Sequence, residues 1–181
     1  MSLPFFKYHP DPIKTGAIKK SPKICVCCRK KRGYLYIGPV YSEEPLKKGL
    51  CPWCIADGSA HKKFKAEYID VEAIGNYGRW SRIPQERIEE IAFKTPGFRG
   101  WQQEKWWTHC GEGAEFIGYA GKKEIEKLGL DFINFIRSDS ELIGIDEWNS
   151  YLNSLDKEKG PTVYVFRCRK CKKFGGYSDS P

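Results

Sequence analysis

Cys25-Val26-Cys27-Cys28 and Cys51-Pro52-Trp53-Cys54 stand twenty-two residues apart, and their reading decides what kind of chain this is. Cys25 with Cys28, and Cys51 with Cys54, form two Cys-x-x-Cys corners at the separation that a tetrahedral four-thiolate zinc site requires. Each corner folds back so that both sulfurs reach one ion at about 2.3 Å, and the intervening segment returns the chain to it. Cys51-Pro-Trp-Cys54 also has the form of a dithiol redox motif. That chemistry needs a hydrophobic strand before the motif and a helix starting at it. No such strand precedes Cys51, and a second Cys pair waits at zinc spacing, so zinc is the preferred reading. Cys27 is the extra cysteine: a buried thiol is expected first, because free Cys packs as a small hydrophobe, with a substitute ligand or a donor to a second metal as the alternatives.

A third corner, Cys168-Arg169-Lys170-Cys171, lies near the C-terminus, with Cys110 as a further soft donor and His109 beside it. Cys110, Cys168 and Cys171, with His109 as fourth donor, make a second candidate zinc site. Adjacent residues seldom reach one ion together, which favours Cys110 over His109. If only three of these donors bound, the open position would suit a zinc-dependent hydrolase, with His109, Glu112 or Glu115 as base. A thiolate-rich set is more often structural, and no complete catalytic constellation is present in the sequence.

The chain has 181 residues, 40% of them hydrophobic and 14% aromatic, which is a globular composition with enough apolar mass for a core. No run of eighteen apolar residues is present, which excludes a transmembrane helix. The first residues lack the basic, apolar and small-residue pattern of a secretory leader, so the expected compartment is the cytoplasm, where clustered thiols stay reduced and bind metal. The net charge is +8; between Pro12 and Ser42 there are eight Lys or Arg and no acid, and residues 167–173 hold five more bases. A zinc bound by four thiolates carries a charge of 2−, which nearby cations offset. Local compensation is therefore preferred over a nucleic-acid footprint, which stays as an alternative.

The expected fold class is α+β: an N-terminal zinc ribbon packed on a mainly helical region and closed by a C-terminal β-hairpin zinc knuckle. Residues 1–64 form the arm and ribbon, residues 65–181 the remainder, together as one compact unit. Pro4, Pro10, Pro12 and Pro22 predict an extended arm pinned by Phe5, Phe6 and Tyr8, with His9 packing or at the surface. A strand is expected over 33–38, extending past Pro39 to Tyr41, and a loop over 43–49. A short helix capped within 57–60 is expected to run through Phe64 with an exposed His61. Further helices are expected at 83–94 with Ile88, Ile91 and Ala92 on one face, at 112–121, 122–128 and 131–138, and after Asp146 with Trp148, Leu152 and Leu155 inward. The aromatic stretch 98–111 is assigned to the core. A hairpin over 162–178 carries the last Cys corner.

Several stretches together resemble a known family: F-K-Y-H-P-D-P (6–12), C-V-C-C, R-G-Y-L-Y-I-G-P-V-Y (32–41), C-P-W-C-I-A-D-G-S-A (51–60), T-P-G-F-R-G-W-Q-Q-E-K-W (95–106), H-C-G (109–111) and F-R-C-R-K-C (166–171). The chain resembles the CbrC family, also called uncharacterised protein family 0167, a bacterial group linked by name to colicin tolerance. The resemblance implies a cytoplasmic bacterial protein and supplies no catalytic residues. The function expected first is a non-catalytic, zinc-containing, protein-binding module of the immunity type, its partner a bacterial toxin. Nucleic-acid binding through Lys14 to Arg32 with Tyr34 and Tyr36 is the second reading.

Overall fold

A computed structural model describes residues 2–43, 45, 46, 49–75, 80–140, 142 and 144–181. The architecture is mixed α and β. A short antiparallel pair comes first, β1 (Ile18–Lys20) with β2 (Tyr34–Tyr36), followed by helices α1 (Pro52–Ala56) and α2 (Ser59–Phe64). Helix α3 (Gln85–Lys94) and a two-residue hairpin, β3 (Thr108–His109) with β4 (Glu112–Gly113), lead into the main sheet. That sheet is antiparallel, in the order β5 (Glu115–Ala120), β6 (Thr162–Arg167), β7 (Phe174–Asp179). Helices α4 (Lys122–Leu128), α5 (Leu130–Asp139) and α6 (Ile145–Ser154) fill the connection between β5 and β6.

The second Cys pair does not sit in a loop between strands: Cys51 is the N-cap of α1 and Cys54 lies within it. Residues 112–121, expected to be helical, form β4 and β5 instead. Three glycines in that stretch, at 113, 118 and 121, remove helix propensity. Phe116, Ile117 and Tyr119 suit a strand, and pairing with β6 provides the partner. The central strand β6 is buried over its first five residues, Thr162 to Phe166.

Among the described residues, three apolar clusters hold the molecule together. The N-terminal one gathers Phe6, Ile18, Tyr36, Leu50, Ile55 and Tyr68 around Cys25, Cys51 and Cys54. The second packs Phe98, Trp106, Phe116, Tyr164 and Phe166 beside α3, with Phe98 and Phe116 stacked at 4.1 Å. The third lies between the sheet and α4 to α6, around Ile125, Phe132, Ile136 and Trp148. The N-terminal arm stitches the first two: Phe6 joins one, and Tyr8 is fully buried in the other, accepting a hydrogen bond from Phe116 N–H (2.8 Å). Phe5, by contrast, is exposed. His9 is fully buried, its ring nitrogens 2.7 Å from Pro96 O and 2.6 Å from Thr15 Oγ1. His61 is half-buried and stacks on Phe93 of α3 at 3.8 Å rather than standing free.

The stretch 98–106 is irregular, and its backbone amides are satisfied from the sheet. Arg99, Trp101 and Lys105 N–H donate to the hydroxyls of Tyr119, Tyr164 and Tyr177 at 2.9–3.0 Å, and Gly100 N–H donates to Glu104. Buried loop amides must find partners, so this loop is fixed by tyrosines contributed by all three strands. Trp106 and Trp107 are core as expected, whereas Trp101 is partly exposed. The loop expected at 43–49 falls partly outside the described residues (44, 47 and 48). Among the described residues, no helix is long and apolar enough to cross a membrane.

Candidate metal centres

Cys25, Cys28, Cys51 and Cys54 converge with all four sulfurs within 4.8 Å of one another. The separations are 3.9 Å (Cys25–Cys54), 3.8 Å (Cys28–Cys51) and 3.5 Å (Cys51–Cys54). A tetrahedral ion with bonds of about 2.3 Å sets its sulfurs about 3.8 Å apart, so the donor set fits zinc in size and in softness. Cys25, Cys51 and Cys54 are buried and Cys28 half-buried. Cys27 points elsewhere: it is half-buried, with its sulfur 3.7 Å from Ser59 Oγ.

The metal-free thiols cannot share this space as four anions. A hydrogen bond from Cys51 holds Cys25 down to about 4, while that same bond, with burial, drives Cys51 far above its ordinary value. Burial pushes Cys54 up to about 12. Cys28 stays below its ordinary value despite partial burial, through Lys30 N–H and the Arg32 guanidinium. A divalent cation would replace the shared protons and cross-link the knuckle to the helix.

The second cluster brings His109, Cys110, Cys168 and Cys171 together, again within 4.8 Å. His109 Nδ1 lies 3.1 Å from Cys110 Sγ and 3.4 Å from Cys171 Sγ, against about 3.6 Å across a zinc site with these donors. Adjacent His109 and Cys110 both reach the cluster because Cys110 takes a left-handed conformation (φ 56°) at the tip of the β3–β4 turn. Trp107 stacks on the His109 ring at 5.1 Å and holds its plane. Cys168 is buried, whereas Cys110 and Cys171 are exposed.

The turns at Cys25–Cys28 and Cys168–Cys171 are built alike. Cys25 N–H donates to Lys30 O and Arg29 N–H to Cys25 O; Cys168 N–H donates to Lys173 O and Lys172 N–H to Cys168 O. Arg29 and Lys172, each four residues past the first cysteine, have φ values of 59° and 64°. The signal was present in the sequence as C-x-x-C-[RK]-K at both places.

Two of the bases near the second cluster are ion-paired. Arg167 meets Glu115 at 2.7 Å, and Arg169 lies 3.8 Å from both Glu112 and Glu115. Glu112 also accepts from Tyr8 Oη (2.8 Å). Both carboxylates considered as hydrolytic bases are therefore engaged. Lys170 Nζ donates to the backbone carbonyl of Cys110 (2.9 Å) and Lys63 Nζ to that of Cys27 (3.4 Å), so these bases sit against the cysteine backbone rather than on a sulfur.

Fold and donor sets together define a class: a small α+β protein with two Cys-rich clusters, each able to hold a metal ion. The chain belongs to the family described as uncharacterised protein family (UPF0167), whose family model matches residues 3–180. It is 40% identical over 182 residues to the UPF0167 protein Mb2317 of Mycobacterium bovis, covering 98% of this chain and 93% of that one. It is 37% identical over 170 residues to the UPF0167 protein PA1536 of Pseudomonas aeruginosa, covering 93% and 92%. No solved structure matches the chain.

Proposed function

We propose that this protein is a zinc-stapled, non-catalytic binding module of the bacterial cytoplasm that engages an acidic partner protein through its N-terminal third. The observation that carries the reading is the closed donor set of each cluster, four protein ligands gathered within 4.8 Å. Catalytic zinc keeps a position for water, whereas a full set of four protein donors gives a structural staple. The N-terminal four-cysteine site and the C-terminal site are then two staples of one fold.

The choice of partner follows from charge. Residues 1–65 hold fourteen Lys or Arg and four acids, a net of +10, and residues 66–181 net −2. This lobe stays strongly positive after a four-thiolate zinc removes two charges. It would repel a basic nuclease toxin, so a toxin partner of the kind implied by the colicin-tolerance name would have to present an acidic surface. The acid-free block from Lys14 to Arg32 also supports a second reading, salt-sensitive binding of nucleic acid.

Metal content with X-ray absorption at the zinc edge tests the first reading. Two zinc ions per chain, each with four protein donors, are expected, and one ion after Cys168→Ser. A water oxygen in either shell would overturn the non-catalytic assignment.

A further inference from the structure

Beside the first cluster, the N-terminal lobe carries a groove of about 1030 Å³ whose floor includes Ile24, Leu35, Ile37 and Val40 and whose rim carries Lys19, Lys20 and Lys23. We infer that this groove docks an acidic peptide segment with aliphatic anchor residues, an inference that rests on the binding-module reading above and names the surface it would use.

The strand pairing sets up the groove. Ile18 and Tyr36 face each other across β1 and β2 and are buried in the N-terminal core. Successive residues of a strand point to opposite faces, so the next pair, Lys19 with Leu35, faces the other way. Leu35 is itself buried in the N-terminal core and backs the groove, while the exposed Lys19 stands at its edge. Ile24, 54% exposed, adds an aliphatic surface that water covers unfavourably.

Charge complementarity selects the occupant. Lys19, Lys20 and Lys23 are exposed and enter no ion pair among the described residues, in contrast to the paired bases at 167–169. A second copy of this face would meet it with like charge, which argues against self-association here. Nucleic acid is disfavoured by the floor itself. Its lining is aliphatic, and the ring of Tyr36 is only 3% exposed, so no aromatic platform is open for base stacking. A peptide that alternates carboxylates with Leu, Ile or Val satisfies both the rim and the floor.

The groove is also tied to the first cluster. Val26 N–H donates to Gly49 O (3.1 Å) and Tyr36 N–H to Leu50 O (2.8 Å), which holds the wall at 49–50 between the knuckle and Cys51. Emptying that cluster should therefore remove peptide binding.

Selection of a phage-displayed random-peptide library on the zinc-loaded full chain tests this. The expected outcome is enrichment of peptides mixing Asp or Glu with aliphatic residues. The best of them, labelled with fluorescein and followed by anisotropy, should bind K19E/K20E/K23E and Ile24→Glu at least about tenfold more weakly, a change of about 1.4 kcal/mol. Both variants change exposed side chains, and their zinc content and melting temperature should match the parent's. No enrichment, enrichment without an acidic bias, displacement of the peptide by oligo(dT), or unchanged affinity in both variants would each overturn the inference. Peptides that bind the variants as well as the parent remove the groove and leave the binding-module reading standing. A water-ligated zinc removes the non-catalytic assignment and leaves peptide docking to be judged by this selection.

Discussion

Arg29 and Lys172 hold left-handed backbone conformations that an L-residue adopts at a cost of roughly 1 kcal/mol, and each does so to close a turn around two cysteines. Glycine has no such penalty, although it loses more entropy on folding. Arg29→Gly should therefore stabilise the zinc-loaded protein by about 0.5 kcal/mol, seen as a rise of roughly 1–2 °C in melting temperature. Lys172→Gly should gain less, because Lys172 Nζ donates to Arg169 O (2.7 Å) and that bond is lost. A fall in melting temperature for Arg29→Gly would contradict the strain argument. His9 gives a pH prediction of known sign. Burial lowers it from 6.5 to about 4, against the smaller opposing effects of the Pro96 carbonyl and Asp11. The unfolded chain then binds the extra proton between those values, so stability is complete above pH 6.5 and falls as pH drops toward 4. The loss should be about 2 kcal/mol between pH 7 and pH 5. Denaturant unfolding at the two pH values, in parent and His9→Gln, checks it: a parent decrement no larger than the variant's sinks the assignment. The comparison also subtracts the proton sensitivity of the clustered cysteines.

Elements whose side-chain pattern answers to a local period were readable from the sequence. Helix α3, helix α4 and the final hairpin follow apolar spacing and glycine or proline stops, and T-V-Y-V-F-R is apolar enough to be a central strand. β1 and the β3–β4 hairpin were not readable, because two or three residues carry no period; their pairing exists only through contacts distant in sequence. Helix α1 is five residues long and was hidden inside a cysteine motif. The donor clusters were readable because chemistry fixes spacing more tightly than propensity does. His109 beside Cys110 was the exception, since the turn that aims both inward depends on positive φ at both Cys110 and Gly111. The elements around the first cluster are three, three, five and six residues long, below the length at which helices or hairpins persist alone. Cys51→Ser should therefore release the N-terminal lobe as a unit, giving rapid amide exchange through residues 18–64 while β5 to β7 stay protected. Cys171→Ser should loosen only the tips of the two hairpins that meet at the second cluster. Uniform exchange across the chain in Cys51→Ser would instead mean that the whole molecule depends on one staple.

At the scale of the whole molecule, the two clusters differ in how water and competing ligands reach them. The first is walled by its own apolar cluster, with three of four cysteines buried; in the second, Cys110 and Cys171 are exposed at hairpin tips. Ligand exchange at zinc needs an incoming donor to reach the ion, so exposure sets its rate even where affinities are alike. A chelator added in excess to the loaded protein should therefore remove zinc in two phases. The fast phase should carry one ion per chain, leave far-ultraviolet dichroism nearly unchanged, and be absent from Cys171→Ser. The slow phase should carry the second ion and coincide with loss of the N-terminal lobe's signal, because the cluster and its core open together. A colorimetric zinc indicator read beside dichroism distinguishes the two. Release in a single phase, or a fast phase that persists in Cys171→Ser, would show that burial does not order the sites. It would then follow that the N-terminal lobe opens as readily as an exposed turn, against the packing of Leu50, Ile55 and Tyr68 around the buried thiols.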